Sequence, residues 1–225
     1  RMIVQAPSSV QECVDMVYEA FDLAAEYENH VLVLTDGVVG TMMEPVTLPE
    51  MRSDDELLKL RKKFEHRAII GHPVGQQAVC RAGQLGAGQE NVNIEAAKMY
   101  KSWDKEIRVE EYMMDDAEIV IASYGISARI CKAVINKLRK EGIKIGMIRP
   151  MRVSPFPYDS FAKLDPKKIK GLLDVEMSIP AQMIWDVKHV LNKDIPVREC
   201  LRSGGQLLTN DQVEAAVRDL IKEVL

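Results

Sequence analysis

The sequence predicts an α/β protein built on a parallel sheet with helices on both faces. Three features carry that expectation. Short apolar runs, such as Val31–Leu34 and Ile119–Ala122, have the length and composition of strands buried on both sides. Longer stretches with apolar residues at helical spacing lie beside them, several opened by a residue suited to capping. From Asp116 onward strand and helix alternate, and such alternation implies parallel strands joined by crossover helices.

The first 50 residues read as a helix and then a strand. Ser9 and Glu12 have the S-x-x-E spacing of a capping box, and Val10, Val14, Val17, Phe21 and Ala24 follow on one helical face. The strand Val31–Leu34 ends at Asp36-Gly37, with Gly40 in the next loop. Ser53 and Glu56 repeat the capping pattern ahead of Leu57, Leu60 and Phe64. Five glycines from Gly71 to Gly88, amid many Gln and Asn residues, show no period. Residues 51–116 therefore read as a long connecting segment, with one charged helix over Ile94–Glu106. So long a connection inside one compact domain is unusual, so it links two domains or lies on a partner.

The remaining chain is regular. Glu118–Ser123 reads as a strand, and Ser127 as the cap of a helix bearing Ile130, Val134, Ile135 and Leu138 that Gly142 stops. Ile143–Ile148 is a second strand, ended by Pro150, and a loop with Pro155 and Pro157 follows. Leu172–Glu176 is a third strand. Pro180 suits the first turn of a helix carrying Met183, Ile184, Val187 and Leu191. Ile195–Glu199 is a fourth strand, with Pro196 marking an edge or a strand start. Thr209 and Gln212 open a last helix with Val213, Ala216, Val217, Leu220, Ile221 and Val224. The division is 1–50, 51–116 and 117–225.

Composition narrows the function. Among 225 residues, 47% are hydrophobic and 28% charged, which is enough apolar side chain for a core and excludes disorder as the main description. A net charge of −4 offers no basic excess for a phosphate backbone, which argues against nucleic acid. The apolar runs fall far short of the roughly 20 residues needed to cross a bilayer, so no membrane partner is expected. The first residues have no secretory layout. Cys13, Cys80, Cys131 and Cys200 form no C-x-x-C pair, so a disulfide scaffold, a zinc ribbon or a cluster held by this chain is not expected, and a reducing cytoplasm is the natural compartment.

Ligands of open α/β sheets meet the carboxyl ends of the strands. Four segments fall there: Ser123-Tyr124-Gly125, Met151-Arg152, Glu176-Met177-Ser178 and Arg202-Ser203-Gly204-Gly205. Each alone reads as a turn or a cap, while four at one edge point to a working surface. The loop Asp36–Pro45, with Gly37, Gly40 and Glu44, is either another functional loop or a turn with a solvated Glu44. No dinucleotide fingerprint, P-loop or nucleophile elbow occurs, and Gly83, Gly86 and Gly88 have the wrong order. His30, His66, His72 and His189 lack metal-ligand spacing, and His189 reads as a surface partner of Asp186. Met42-Met43 and Met113-Met114 read as gap fillers or interface residues. The residues alone name no reaction.

A family resemblance does. The ordered set A-P-S-S-V-Q-E (Ala6–Glu12), D-G-V-V-G-T-M-M-E-P (Asp36–Pro45), E-E-Y-M (Glu110–Met113), D-D-A-E-I-V (Asp115–Val120), S-Y-G-I-S-A-R (Ser123–Arg129), I-R-P (Ile148–Pro150), P-F-P (Pro155–Pro157), V-E-M-S (Val175–Ser178) and S-G-G (Ser203–Gly205) resembles the alpha subunit of the 2-oxoacid:ferredoxin oxidoreductases. The branch for branched-chain 2-oxoacids (2-oxoisovalerate) is nearest, with 2-oxoglutarate next.

The resemblance implies a transketolase C-terminal-like domain over 117–225, preceded at 1–50 by the final part of a thiamine-type pyrimidine-binding domain. The family's upstream substrate loop and its thiamine-activating glutamate have no counterpart here, so the chain is expected to be a C-terminal portion, inactive alone. It implies oxidative decarboxylation of a 2-oxoacid to acyl-CoA with electrons passed to ferredoxin. Thiamine diphosphate, Mg, coenzyme A and iron–sulfur clusters then belong to the full complex, with none bound by this chain alone. The implied partners are a thiamine-binding beta subunit, a ferredoxin-like subunit and ferredoxin. Cofactor-binding or interface candidates are Asp36, Gly37, Gly40, Glu44, Ser123, Tyr124, Gly125, Glu176, Ser178, Arg202, Gly204 and Gly205. No catalytic residue and no metal ligand is assigned. Ala181 stands where the family usually has glycine, which weakens any transfer of substrate specificity, and which 2-oxoacid is used stays open. The alternatives are a non-catalytic interaction domain with the transketolase C-terminal fold and a small-ligand or nucleotide binder using the strand-end cleft.

Overall fold

The protein is described from a computed structural model, which covers residues 1–65, 71 and 87–224. Gly83, Gly86, His66, His72 and Cys80 lie outside the described residues. The elements run β1 (Ile3–Gln5), α1 (Val10–Tyr27), β2 (Val31–Val33), α2 (Gly37–Thr41), α3 (Asp54–Lys63), α4 (Ala87–Lys101), β3 (Val109–Tyr112), β4 (Ile119–Ser123) and α5 (Gly125–Lys140). They continue β5 (Ile145–Pro150), β6 (Arg152–Ser154), α6 (Tyr158–Ala162), β7 (Gly171–Glu176), α7 (Met183–Val190), β8 (Val197–Leu201) and α8 (Asn210–Val224).

The larger sheet has the order β3-β5-β4-β7-β8. Strands β4, β5, β7 and β8 are parallel, and β3 adds an antiparallel edge along β5. Every residue of β4, β5 and β7 is buried, as expected of strands covered on both faces. Alternation along β4 divides the core. Ile119 and Ile121 face a layer that includes Val134, Leu138, Val217 and Leu220 of α5 and α8. Val120 and Ala122 face Phe161, Ile184 and Val187 of α6 and α7. The smaller sheet, β2-β1-β6, takes its third strand from beyond β5, so the two halves of the chain share hydrogen bonds.

Several local expectations change. The segment 51–116 contains β3, and its charged helix begins earlier, at Ala87, and closes in a 3-10 turn over Ser102–Glu106. Strand β1 and the pairing of β6 were not expected; each is only three residues long, too short to show alternation. Strand β2 is parallel to β1 but lies at the sheet edge, and Leu32 is exposed. Helix α1 turns Met16, Leu23 and Tyr27 inward, leaves Val10, Val14 and Ala24 half-buried and exposes Val17 and Phe21, so its buried face is rotated away from the expected one.

Caps explain most shifted boundaries. Ser9 accepts from the Glu12 N–H, but the Glu12 carboxylate takes the Ser8 N–H and hydroxyl, so only half the expected box forms. The Ser53–Glu56 and Thr209–Gln212 boxes are reciprocal. Ser127 is not a cap: α5 starts two residues earlier and Ser127 is buried inside it. Pro180 lies before α7, which starts at Met183.

Candidate functional site

The loop after β2 meets the start of α5 through one carboxylate. Asp36 Oδ1 accepts from the N–H groups of Val38 (2.9 Å) and Val39 (3.0 Å), capping α2. Its Oδ2 accepts from the N–H of Ile126 (3.4 Å) in the first turn of α5. One side chain thus satisfies donors at two helix starts. Gly125 supplies the backbone this helix start needs: its φ of +59° is costly for any non-glycine residue, while a Cβ there would meet the Asp36 carboxylate only at an ordinary contact distance of 3.8 Å. Glu44 fixes the far end of the same loop. It accepts from Arg129 of α5 at 2.5 Å and from the Val10 N–H at 3.3 Å. The Arg129 hydrogen bond, then that of Val10, holds the Glu44 carboxyl below its ordinary range. Glu44 is therefore an anchor and not a solvated turn residue.

Between these parts lies a cavity of about 170 Å³ whose walls include Thr35, Asp36, Tyr124, Gly125, Ser127 and Met177. Burial, then the charges of Glu176 and Asp174, push the Tyr124 hydroxyl up to about 12, so it is a proton donor at neutral pH. The structure brings Asp36, Tyr124 and Gly125 to this cleft, with Gly37 and Gly40 on α2 behind Asp36.

The other candidates divide. Ser123 is fully buried and donates to the Val175 carbonyl at 2.8 Å, stitching β4 to β7. Glu176 is 1% exposed and accepts from the N–H groups of Gln182 (3.1 Å) and Ile184 (3.2 Å), which is why α7 starts there. Ser178 donates to the Pro180 carbonyl at 2.8 Å. Arg202 is half-buried, donates its backbone N–H to the Glu176 carbonyl (3.2 Å), and has a buried Nε without a partner among the described residues. Gly204 and Gly205 form an exposed turn with φ of +64° and +79°. Among other polar residues, Asp186 does not pair with His189; it accepts from the Tyr158 hydroxyl at 2.5 Å, and His189 stands edge-on to the same ring.

Two arginines are buried: Arg149, which the sequence does not single out as a site residue, and Arg152, which it places on an open strand end and which the structure instead buries in β6. Arg149 of β5 reaches Glu12 of α1 (2.7 Å) and Glu110 of β3 (2.9 Å). Arg152 of β6 reaches Glu19 of α1 (2.9 Å) and Glu106 (2.7 Å). Both arginine side chains are 1% exposed while their carboxylate partners stay partly exposed, and the pairs tie α1 to β5 of the larger sheet and to β6 of the smaller one. The available signal was a charge placed inside an apolar strand run.

The cleft does not fit thiamine diphosphate by itself. Its volume is below the roughly 300 Å³ at which small-molecule pockets begin. The first turn of α5, whose N–H groups could cradle a phosphate, faces the Asp36 carboxylate instead. Among the described residues no three His, Cys, Asp or Glu side chains converge as a metal site, and burial pushes the Cys131 thiol up, away from a ligating thiolate. No described helix is long and apolar enough to cross a membrane.

Comparison with known proteins supplies a frame. Residues 1–114 match the family model "Pyruvate flavodoxin/ferredoxin oxidoreductase, thiamine diP-bdg", and residues 117–213 match "Pyruvate:ferredoxin oxidoreductase core domain II". The ketoisovalerate oxidoreductase subunit VorB of Methanothermobacter thermautotrophicus is 35% identical over 98% of this chain and 60% of its own length. The 2-oxoglutarate synthase subunit KorA of Methanocaldococcus jannaschii is 30% identical over 96% of this chain and 63% of its own. The chain thus spans about 60% of the length of these relatives. A solved 2-oxoglutarate:ferredoxin oxidoreductase from Magnetococcus marinus, with 2-oxoglutarate, coenzyme A and succinyl-CoA bound, superposes with a TM-score of 0.72. That match has 18% identity, covers 98% of this chain and 42% of the other, and shares the fold.

Proposed function

The chain belongs to the pyruvate flavodoxin/ferredoxin oxidoreductase family, and from that membership we propose that it forms the alpha-subunit portion of a thiamine diphosphate-dependent 2-oxoacid:ferredoxin oxidoreductase. The observation that carries this reading is the pair of family matches, in order, over residues 1–114 and 117–213. The reaction proposed is oxidative decarboxylation of a 2-oxoacid to acyl-CoA, with electrons passed to ferredoxin. VorB, a relative named for ketoisovalerate, makes a branched-chain 2-oxoacid the first substrate to assay. Thiamine supplies the carbanion chemistry when bound, and the described cleft residues do not hold it unaided. The thiamine-binding beta subunit, a ferredoxin-like subunit, Mg and iron–sulfur clusters are proposed for the assembled complex, and the cytoplasm for its location.

Within that complex the proposed role of the cleft is placement. Asp36 and Glu44 clamp the loop that carries Gly37 and Gly40 onto α5, and Tyr124 presents a protonated hydroxyl at the cleft wall. Glu176, Ser178, Arg202, Gly204 and Gly205 are proposed as the adjoining edge, with Ser123 as support beneath it. The exposure of Val17, Phe21, Met43, Leu48 and Met51 supports the reading of a chain that works within a larger assembly.

The test is anoxic affinity purification of the tagged chain from its source cells, with mass spectrometry, thiamine and iron analysis, and a 2-oxoacid- and coenzyme A-dependent dye-reduction assay of the eluate. Co-purification of thiamine- and iron-bearing subunits with that activity is expected. A chain that elutes with other partners, and without such activity, overturns the reading and favours an interaction domain.

A further inference from the structure

Asp174 sits in the middle of β7, and its side chain is wholly buried. Among the described residues, neither of its carboxyl oxygens has a hydrogen-bond donor. Glu176 lies two residues on and so on the same face of the strand, equally buried. Two buried acids this close cannot both stay ionised without a compensating cation.

The surroundings supply none directly. Register places Ala122 of β4 on one side of Asp174 and Glu199 of β8 on the other. Lys188 of α7 is engaged by Glu199 at 3.3 Å. Cys131 of α5, Cys200 of β8 and Tyr124 just before α5 lie near Asp174, and Arg202 stands beside Cys200. Glu176 differs from Asp174 in one respect: it accepts backbone N–H groups from Gln182 and Ile184. Those donors engage its oxygens as acceptors and aim it at the start of α7.

We propose that Asp174 and Glu176 share a single proton, carried by Asp174 and donated to Glu176, and that this shared proton latches the strand-end segment 177–182 and the first turn of α7. The balance is simple: one proton and one negative charge occupy the pair, and Glu176 spends its charge on the α7 donors. Burial, then Glu176, push Asp174 up to about 9, in keeping with the geometry. Loss of that proton places a second charge in the interior and weakens the hold of Glu176 on α7. Met177, a wall of the cleft, then moves with the released segment. The inference rests on the buried pair and holds whatever reaction the chain serves.

The test is carboxyl-carbon NMR and amide hydrogen exchange of the full chain from about pH 5 to about pH 10. One aspartate carboxyl is expected to stay protonated through neutral pH and to vanish in Asp174→Asn. The Gln182 and Ile184 amides are expected to exchange at least about tenfold faster as it titrates, beyond the intrinsic hydroxide dependence. Asp174→Asn, which keeps a donor toward Glu176, is expected to remove that step. An Asp174 carboxyl ionised at neutral pH overturns the proposal, as does amide exchange that ignores its titration. Both readouts in the unsubstituted protein decide the matter if the variant fails to fold.

Discussion

Arg149 of β5 and Glu12 of α1 meet at 2.7 Å with the arginine side chain 1% exposed. Glu12 also holds the Ser8 backbone, and Arg149 also holds Glu110, so one pair connects a helix start, two strands and both halves of the chain. Removing one partner of a buried pair strands the other. Arg149→Leu is expected to cost about 3 kcal/mol, measured as a lower denaturant midpoint with an unchanged slope. Adding Glu12→Gln is expected to recover part of that loss, because one stranded carboxylate is gone. A strictly additive double variant would show that the two residues are not coupled.

The same network sets the response to acid. Burial raises the Glu12 carboxyl, but hydrogen bonds from Arg149 and Ser8 outweigh it and leave the group below its ordinary value of 4.5. Burial likewise opposes, and Tyr27 and Arg152 outweigh, at Glu106. A carboxyl depressed by folding adds stability that is present above its unfolded value and lost as pH falls through the folded one. Stability is therefore expected to fall below about pH 4.5, and more gently in Arg149→Leu. Asp174 has the opposite sign: raised to about 9, it favours the folded state at low pH and withdraws that contribution as pH rises toward 9. Midpoints across pH are expected to peak on the mildly acidic side.

Gly146 in β5 permits a close approach by the turn after β3. A Cβ there would lie 2.7 Å from the Met113 carbonyl and 3.0 Å from that of Tyr112. Backbone atoms cannot swing aside as a side-chain tip can. Gly146→Ala is expected to destabilise by about 1–3 kcal/mol and to loosen β3 from β5, seen as faster amide exchange along Val109–Tyr112. An unshifted midpoint would contradict that packing.

What the sequence made legible follows burial. Strands β4, β5 and β7 are buried on both faces and announce themselves as apolar runs, and α5 and α8 carry clear stripes. The start of α5 was misplaced because its capping carboxylate comes from Asp36, ninety residues away. The start of α7 was misplaced for a similar reason, since Glu176 caps it from the strand before. The face of α1 was misread because its exposed apolar residues, Val17 and Phe21, obey the same spacing as buried ones. Glycines and acids of the candidate site were visible as a strand-end pattern, while Arg149, Arg152 and Asp174 act through partners distant in sequence or through burial, which no local spacing shows.

Asp36 offers the sharpest separation of local from long-range roles. Its Oδ1 serves α2 and its Oδ2 serves α5. Loss of a helix cap costs roughly 0.5–2 kcal/mol, so Asp36→Ala is expected to lower stability within that range. Asp36→Asn keeps an oxygen for one helix but presents an amide N–H₂ group, a donor, in place of the second acceptor. Because Val38 and Val39 supply the shorter bonds, the remaining oxygen is expected to stay with α2. The N–H of Ile126 then faces a donor, and its exchange accelerates while those of Val38 and Val39 do not. Equal acceleration at all three amides would show that the loop releases as a unit, with Arg129 and Glu44 failing to hold its far end.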